Sequence, residues 1–214
     1  GHHADNYIPV GSFISSIYHK SSSNLEIKYD ICLISQHTKF TFSSDNPLRR
    51  NLNQLDDNLS KYINSNPGLS FVILCRSPSS SEKGQFERSY FESKYGNRAT
   101  LVFQDDCQFS TYRGMSQTKV IISCYSTSGI EAAAWGKKVL FCDYSEDNLF
   151  ANYKQGIWLS RHSDYAHFSN IVTKIMNMKK NEYQNLTSDY FNFIIKYDVK
   201  FSAIEKIRNS LFLS

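Results

Sequence analysis

The chain has 214 residues, room for one large domain, with 41% apolar and 14% aromatic residues for a core and only 9 Gly and 4 Pro. Those proportions exclude a disordered or linker-rich protein, and no apolar run approaches the ~20 residues of a membrane-spanning helix. The net charge of +4 comes largely from scattered basic pairs, Arg49-Arg50, Lys137-Lys138 and Lys179-Lys180, which is the pattern of a solvated surface and excludes a dedicated nucleic-acid-binding face.

Residues 1–27 read as an irregular N-terminal extension, with a short extended piece around Tyr7 to Phe13. The opening GHHADNYIPV lacks the charged and apolar regions of a secretory leader, and His2 and His3 are given no metal role. Tyr29 to Ser35 is a first buried strand, followed by a polar loop from Gln36 to Arg50. Leu52, Leu55, Leu59, Tyr62 and Ile63 recur at helical spacing and predict an amphipathic helix over Asn51 to Asn64. Asn66-Pro67-Gly68 turns the chain into a second strand, Leu69 to Cys75. Glu82 to Tyr95 is a helix with Phe86, Tyr90 and Phe91 inward, stopped by Gly96. Ala99 to Phe103 is a third strand, and Phe109 to Gln117 a short helix or turn.

The most informative stretch is Lys119 to Tyr144. Val120-Ile121-Ile122 leads into Ser126-Thr127-Ser128-Gly129; a small-residue helix runs from Ile130 to Trp135 and stops at Gly136; Val139-Leu140-Phe141 closes the unit. Strand, turn, helix, strand in that order is a parallel crossover. The turn lies at a strand's carboxyl end and a helix's start, where unpaired N–H groups and the helix dipole favour an anion. Gly156 to Leu159 is a sixth strand, and helices follow over roughly Tyr165 to Met178, Glu182 to Ile195 and Ser202 to Leu211. The whole order predicts an α/β fold: a doubly wound, mostly parallel Rossmann-like sheet with C-terminal helices.

Two physical readings compete at the turn. Ser128-x-x-Glu131 fits a capping box, which would satisfy backbone donors without any ligand. Three consecutive hydroxyl residues plus Gly129 exceed what a cap needs, which favours phosphate binding at Ser126, Thr127 and Ser128. Arg76 ends a strand on the same rim and suits a phosphate or carboxylate; the competing reading is a surface ion pair with Glu82 or Asp105. Ser35, Gln36 and His37 begin a loop reaching toward a ligand, with His37 read as an ordinary surface residue. Asp105-Asp106 reads as a cap for the helix near Phe109, the competing reading being a pair facing the crevice, and Asp30 as structural. Tyr183, Tyr190, Phe191, Phe193 and Tyr197 recur near helical spacing and are expected to pack on the domain. The five Cys show no metal-ligand spacing; four lie in or beside buried strands and read as reduced thiols of a cytoplasmic protein.

The run Ser126 to Ala132, then Gly136 to Phe141, resembles the donor-binding half of GT-B-fold glycosyltransferases, closest to the bacterial capsule and O-antigen group that includes Kdo transferases using CMP-sugars. Val10-Gly11-Ser12-Phe13 with Tyr29 to Gln36, and Leu74-Cys75-Arg76 with Glu87 and Tyr90, add to the likeness. The resemblance implies a donor nucleotide-sugar-binding domain over 28–178, with helices 179–214 packed on it. It implies that Ser126, Thr127 and Ser128 grip donor phosphate and that Glu131 holds the ribose hydroxyls; Gly129 in the turn, and Arg76 and Gln36 at the strand ends, are expected to join them on the donor. It implies a CMP-Kdo-like donor, a glycan or glycolipid acceptor, a second GT-B half or partner subunit and contact with the periphery of the inner membrane; no Asp-x-Asp motif occurs, so no metal is expected, nor another cofactor. The alternatives are a non-catalytic Rossmann-like module that needs a partner half, and a relative of UDP-GlcNAc 2-epimerase, which shares the fold.

Overall fold

A computed structural model describes residues 11–21, 25–39, 46–145, 154–195 and 202–212. The strands are β1 (Tyr29–Ile34), β2 (Phe71–Leu74), β3 (Thr100–Val102), β4 (Thr118–Ser123), β5 (Lys138–Cys142) and β6 (Leu159–Ser160). The helices are α1 (Phe13–Ser21), α2 (Pro47–Ser65), α3 (Glu82–Tyr95), α4 (Ser110–Ser116), α5 (Thr127–Ala134), α6 (Tyr165–Asn177), α7 (Lys180–Ile194) and α8 (Ala203–Phe212). The strands form one sheet in the order β3-β2-β1-β4-β5-β6, every pair parallel. This is the doubly wound Rossmann order.

The central strands are near-continuous apolar runs because helices cover both faces of a parallel sheet. Ile31, Cys32 and Leu33 face Val120, Ile121 and Ile122 in register across β1 and β4, and all six are buried. Leu52, Leu55, Leu59 and Ile63 of α2 and Phe91 of α3 join this core, as do Phe168, Val172 and Ile175 of α6.

The structure departs from the sequence reading in several places. Residues 13–21 are helical, not irregular: Ser12 bonds the first turn, and Ser15 and Tyr18 pack inward, Ser15 Oγ accepting from the Trp135 indole at 2.8 Å. The extended piece expected from Tyr7 falls mostly outside the described residues. Helix α2 begins four residues early, because Asn46 caps it and Pro47 occupies the first turn, where a missing N–H costs nothing. Helix α3 has the expected bounds, but its buried face is Gly84, Glu87, Phe91 and Tyr95. Asp105 and Asp106 do not cap α4, whose N-cap is Phe109 with no side-chain bond. Asp105 accepts from Ser79 N at 2.7 Å, and Asp106 from Phe103 N at 2.8 Å, so the pair tethers the loops after β2 and β3. In α7 Tyr183 and Phe191 are buried while Phe193 is 89% exposed; Tyr197 lies outside the described residues.

Among the described residues no helix is long and apolar enough to cross a membrane.

Candidate functional site

The order of winding reverses between β1 and β4. At such a point the chain leaves neighbouring strands in opposite directions, and a crevice opens at their carboxyl ends. A cleft of about 420 Å³ lies there, lined by Ile34, Ser35 and Gln36 after β1, by Leu74, Cys75 and Arg76 after β2, by Thr111, and by Tyr125, Ser126, Thr127 and Ser128 after β4. Of the residues singled out in the sequence, Gln36, Arg76, Ser126, Thr127 and Ser128 meet in this one cleft. Gly129 and Glu131 do not line it.

The Ser126 turn follows from local chemistry. Ser126 is extended (φ −72°, ψ 130°) and is the N-cap of α5, yet its side chain makes no capping hydrogen bond. The capping box that competed with phosphate binding as a reading of Ser128 and Glu131 is absent. Ser128 is already inside the first turn, and Glu131 instead accepts from the Tyr112 hydroxyl at 2.8 Å. Ser126, Thr127 and Ser128 line the cleft, so the start of α5, the positive end of its dipole, lies at it. Gly129 serves packing: a Cβ there would stand 3.0 Å from the Phe141 ring, so the glycine lets α5 lie close on β5.

Two buried polar side chains hold the cleft floor. Gln36 Oε1 accepts from Cys124 N at 3.0 Å, Tyr125 N at 2.9 Å and Ser123 Oγ at 3.2 Å, joining the ends of β1 and β4. Glu87, with no exposure, accepts from Arg76 N and Ser77 N at 3.0 Å each and from the Ser35 hydroxyl. A buried carboxylate is tolerated when donors surround it. The sequence carried a signal for Glu87, since Gly84, Glu87, Phe91 and Tyr95 share one face at helical spacing.

Arg76 is the cleft's exposed cation. The partners expected for it are engaged elsewhere: Glu82 with Lys39, and Asp105 with Ser79. Its guanidinium makes no ion pair among the described residues. Burial raises the pKa of the Tyr125 phenol, and the Arg76 charge opposes that shift.

His37 is buried, not on the surface. Its Nε2 lies 2.6 Å from Asp56 Oδ2, and Asp56 also accepts from Tyr90 at 2.7 Å and Tyr95 at 3.0 Å. The cluster sits behind the cleft and fixes the chain just after Gln36. Among the described residues no group of three or more His, Cys, Asp or Glu could hold a metal ion.

Residues 3–210 match the model of a family described as "putative O-antigen biosynthesis protein". No curated protein matches the chain in sequence. Among solved structures, TarM is similar at 13% identity and a TM-score of 0.53, covering 90% of this chain and 36% of that one. Anabaena Alr3699/HepE, solved in complex with UDP and glucose, is similar at 12% identity and a TM-score of 0.51, covering 92% of this chain and 51% of that one. The UDP-GlcNAc 2-epimerase of Neisseria meningitidis, bound to UDP-GlcNAc, is similar at 14% identity and a TM-score of 0.45, covering 92% and 47%. At these identities the likeness is one of fold, that of one half of a GT-B architecture. The chain spans about half or less of the length of these structures.

Proposed function

Because this chain belongs to that O-antigen biosynthesis family, we propose that it is the donor-binding half of a glycosyltransferase of surface polysaccharide synthesis, and that its switch-point cleft takes the phosphate of a nucleotide-sugar. The observation that carries this reading is a convergence. The uncapped start of α5 and the Arg76 guanidinium face one cleft at the reversal of strand order. Both favour negative charge, one through oriented N–H groups and the other through a forked cation suited to phosphate oxygens. When the sugar leaves, the nucleotide gains negative charge at that phosphate. Donors already aimed there would stabilise the departing group without reorganisation. The Thr111 and Tyr125 side chains supply further polar and aromatic wall. The HepE complex holds UDP, which supports a nucleotide ligand for this fold. A CMP-Kdo-like donor, a glycan or glycolipid acceptor and work at the periphery of the inner membrane extend the same reading. Because the chain spans 36% and 51% of TarM and HepE, sugar transfer is assigned to an assembly in which a second half faces the cleft. The ribose role of Glu131 would require Tyr112 to share the carboxylate.

A thermal-shift panel of CMP, CDP, UDP and GDP tests the proposal, since a ligand that binds only the folded state raises the melting temperature with saturation. At least one nucleotide is expected to stabilise the protein, and the Ser126→Ala, Thr127→Ala double variant to lose most of that affinity by calorimetry. Unchanged affinity in the double variant would remove the turn from the site.

A further inference from the structure

We infer that Gln36 is a positioning residue: its side-chain carbonyl sets the turn between β4 and α5 instead of touching the ligand. The inference rests on the reading of that turn as the phosphate site. Gln36 is 6% exposed, and its Oε1 is the meeting point of three donors from three successive residues, Ser123, Cys124 and Tyr125. Two consecutive backbone N–H groups that converge on one oxygen form a concavity for negative charge. In this chain the protein's own amide oxygen fills it.

The consequence reaches Ser126 through one more bond. The Ser123 hydroxyl donates to Gln36, which leaves its oxygen lone pairs for the Ser126 N–H, 3.3 Å away. Gln36 thus fixes the direction of the Ser123 hydroxyl, and that hydroxyl holds the backbone of the residue that opens α5. Gln36 itself is held from behind, because the next residue, His37, is buried against Asp56. The amide oxygen would be the acceptor even with the cleft filled, so a phosphate meets the turn already shaped.

The test separates positioning from contact. Backbone amide exchange is followed by NMR on the ligand-free full chain in wild type, Gln36→Leu and Gln36→Glu. Leu removes the acceptor and Glu keeps an oxygen in its place. The Tyr125 amide is expected to exchange at least about tenfold faster in Gln36→Leu, the cost of leaving a half-buried N–H without its acceptor, and to regain protection in Gln36→Glu. Calorimetry with UDP and CMP should then show affinity in Gln36→Leu weakened on the order of tenfold or more, as expected when a binding geometry is displaced. Lost affinity with unchanged Tyr125 protection would make Gln36 a ligand contact and overturn the inference, as would wild-type affinity in Gln36→Leu. If Gln36→Leu does not fold, loss of Tyr125 protection in Gln36→Glu overturns it. If none of CMP, CDP, UDP and GDP binds wild type, the donor-site reading fails, and the exchange rates still decide whether Gln36 sets the turn.

Discussion

Asp56 concentrates several effects in one side chain. Its carboxylate is fully buried and accepts from His37, Tyr90 and Tyr95, so each of its oxygens is used. Burial first, and the Asp56 charge second, push both phenols well above their usual pKa, which keeps them protonated as donors. Replacing Asp56 with Ala would strand three donors at once, His37 and Tyr95 buried and Tyr90 half-buried. The expected loss, by urea unfolding, is roughly 3–5 kcal/mol, the range for breaking a buried charge network. His37→Phe should cost less, since the ring shape is kept and two phenols still bond the carboxylate. None of this network was legible in the sequence. His37 and Asp56 are separated by 19 residues on different elements, and no local spacing announces such a pair. Ser126 to Ser128 could be read because strand, hydroxyl turn and small-residue helix are contiguous. The partners of Arg76 could not, because the competition among Lys39, Ser79 and Arg76 for two carboxylates is settled only by three-dimensional placement.

Helix α3 shows what an element adds. Its start depends on a close approach: a Cβ on Gly84 would lie 2.0 Å from the Pro78 carbonyl oxygen. The glycine lets the first turn sit against the loop that carries Arg76 and Ser77, and Glu87 one turn later bonds both of their N–H groups. Gly84→Ala is therefore expected to lower stability by about 1–3 kcal/mol, the usual cost of overpacking. It should also weaken nucleotide binding, because the displaced loop moves Arg76. Urea unfolding and calorimetry on the same variant read the two effects separately. A variant that loses stability and keeps full affinity would show that Arg76 is placed without the help of α3. The bounds of α3 were readable from its apolar spacing and from Gly96, which takes a positive φ of 54° at its end. Helix α1 was not, because nine residues with little local preference become helical through contact with Trp135 and Ser116, both distant in sequence.

At the scale of the molecule, Cys32, Cys75, Cys124 and Cys142 are buried. Burial pushes each thiol up, that of Cys142 to about 12. In the unfolded chain such thiols ionise near ~8.5. Above that value the unfolded chain holds fewer protons than the folded one, so this stability is present below ~8.5 and is lost as pH rises toward the folded values. Lys137 and Lys138 act in the opposite direction, since burial lowers both ammonium groups, that of Lys137 to about 8, but two lysines face four thiols. Urea midpoints under reducing conditions should fall from pH 7.5 to pH 9.5. A constant or rising midpoint would contradict the burial of the thiols.

The sheet order carries a last consequence. The cleft needs the ends of both β1 and β4, and Ile31 pairs with Val120 across the whole length of α2, β2, α3, β3 and α4. Closing so distant a contact comes late and at an entropic cost. During synthesis the ribosome must therefore release the β4–β5 crossover before any ligand can engage, and a nascent chain ending at α4 would hold Gln36 and Arg76 with no pocket between them. On the ribosome the pocket would form only as the sheet's centre closes, and a ligand would meet it already built.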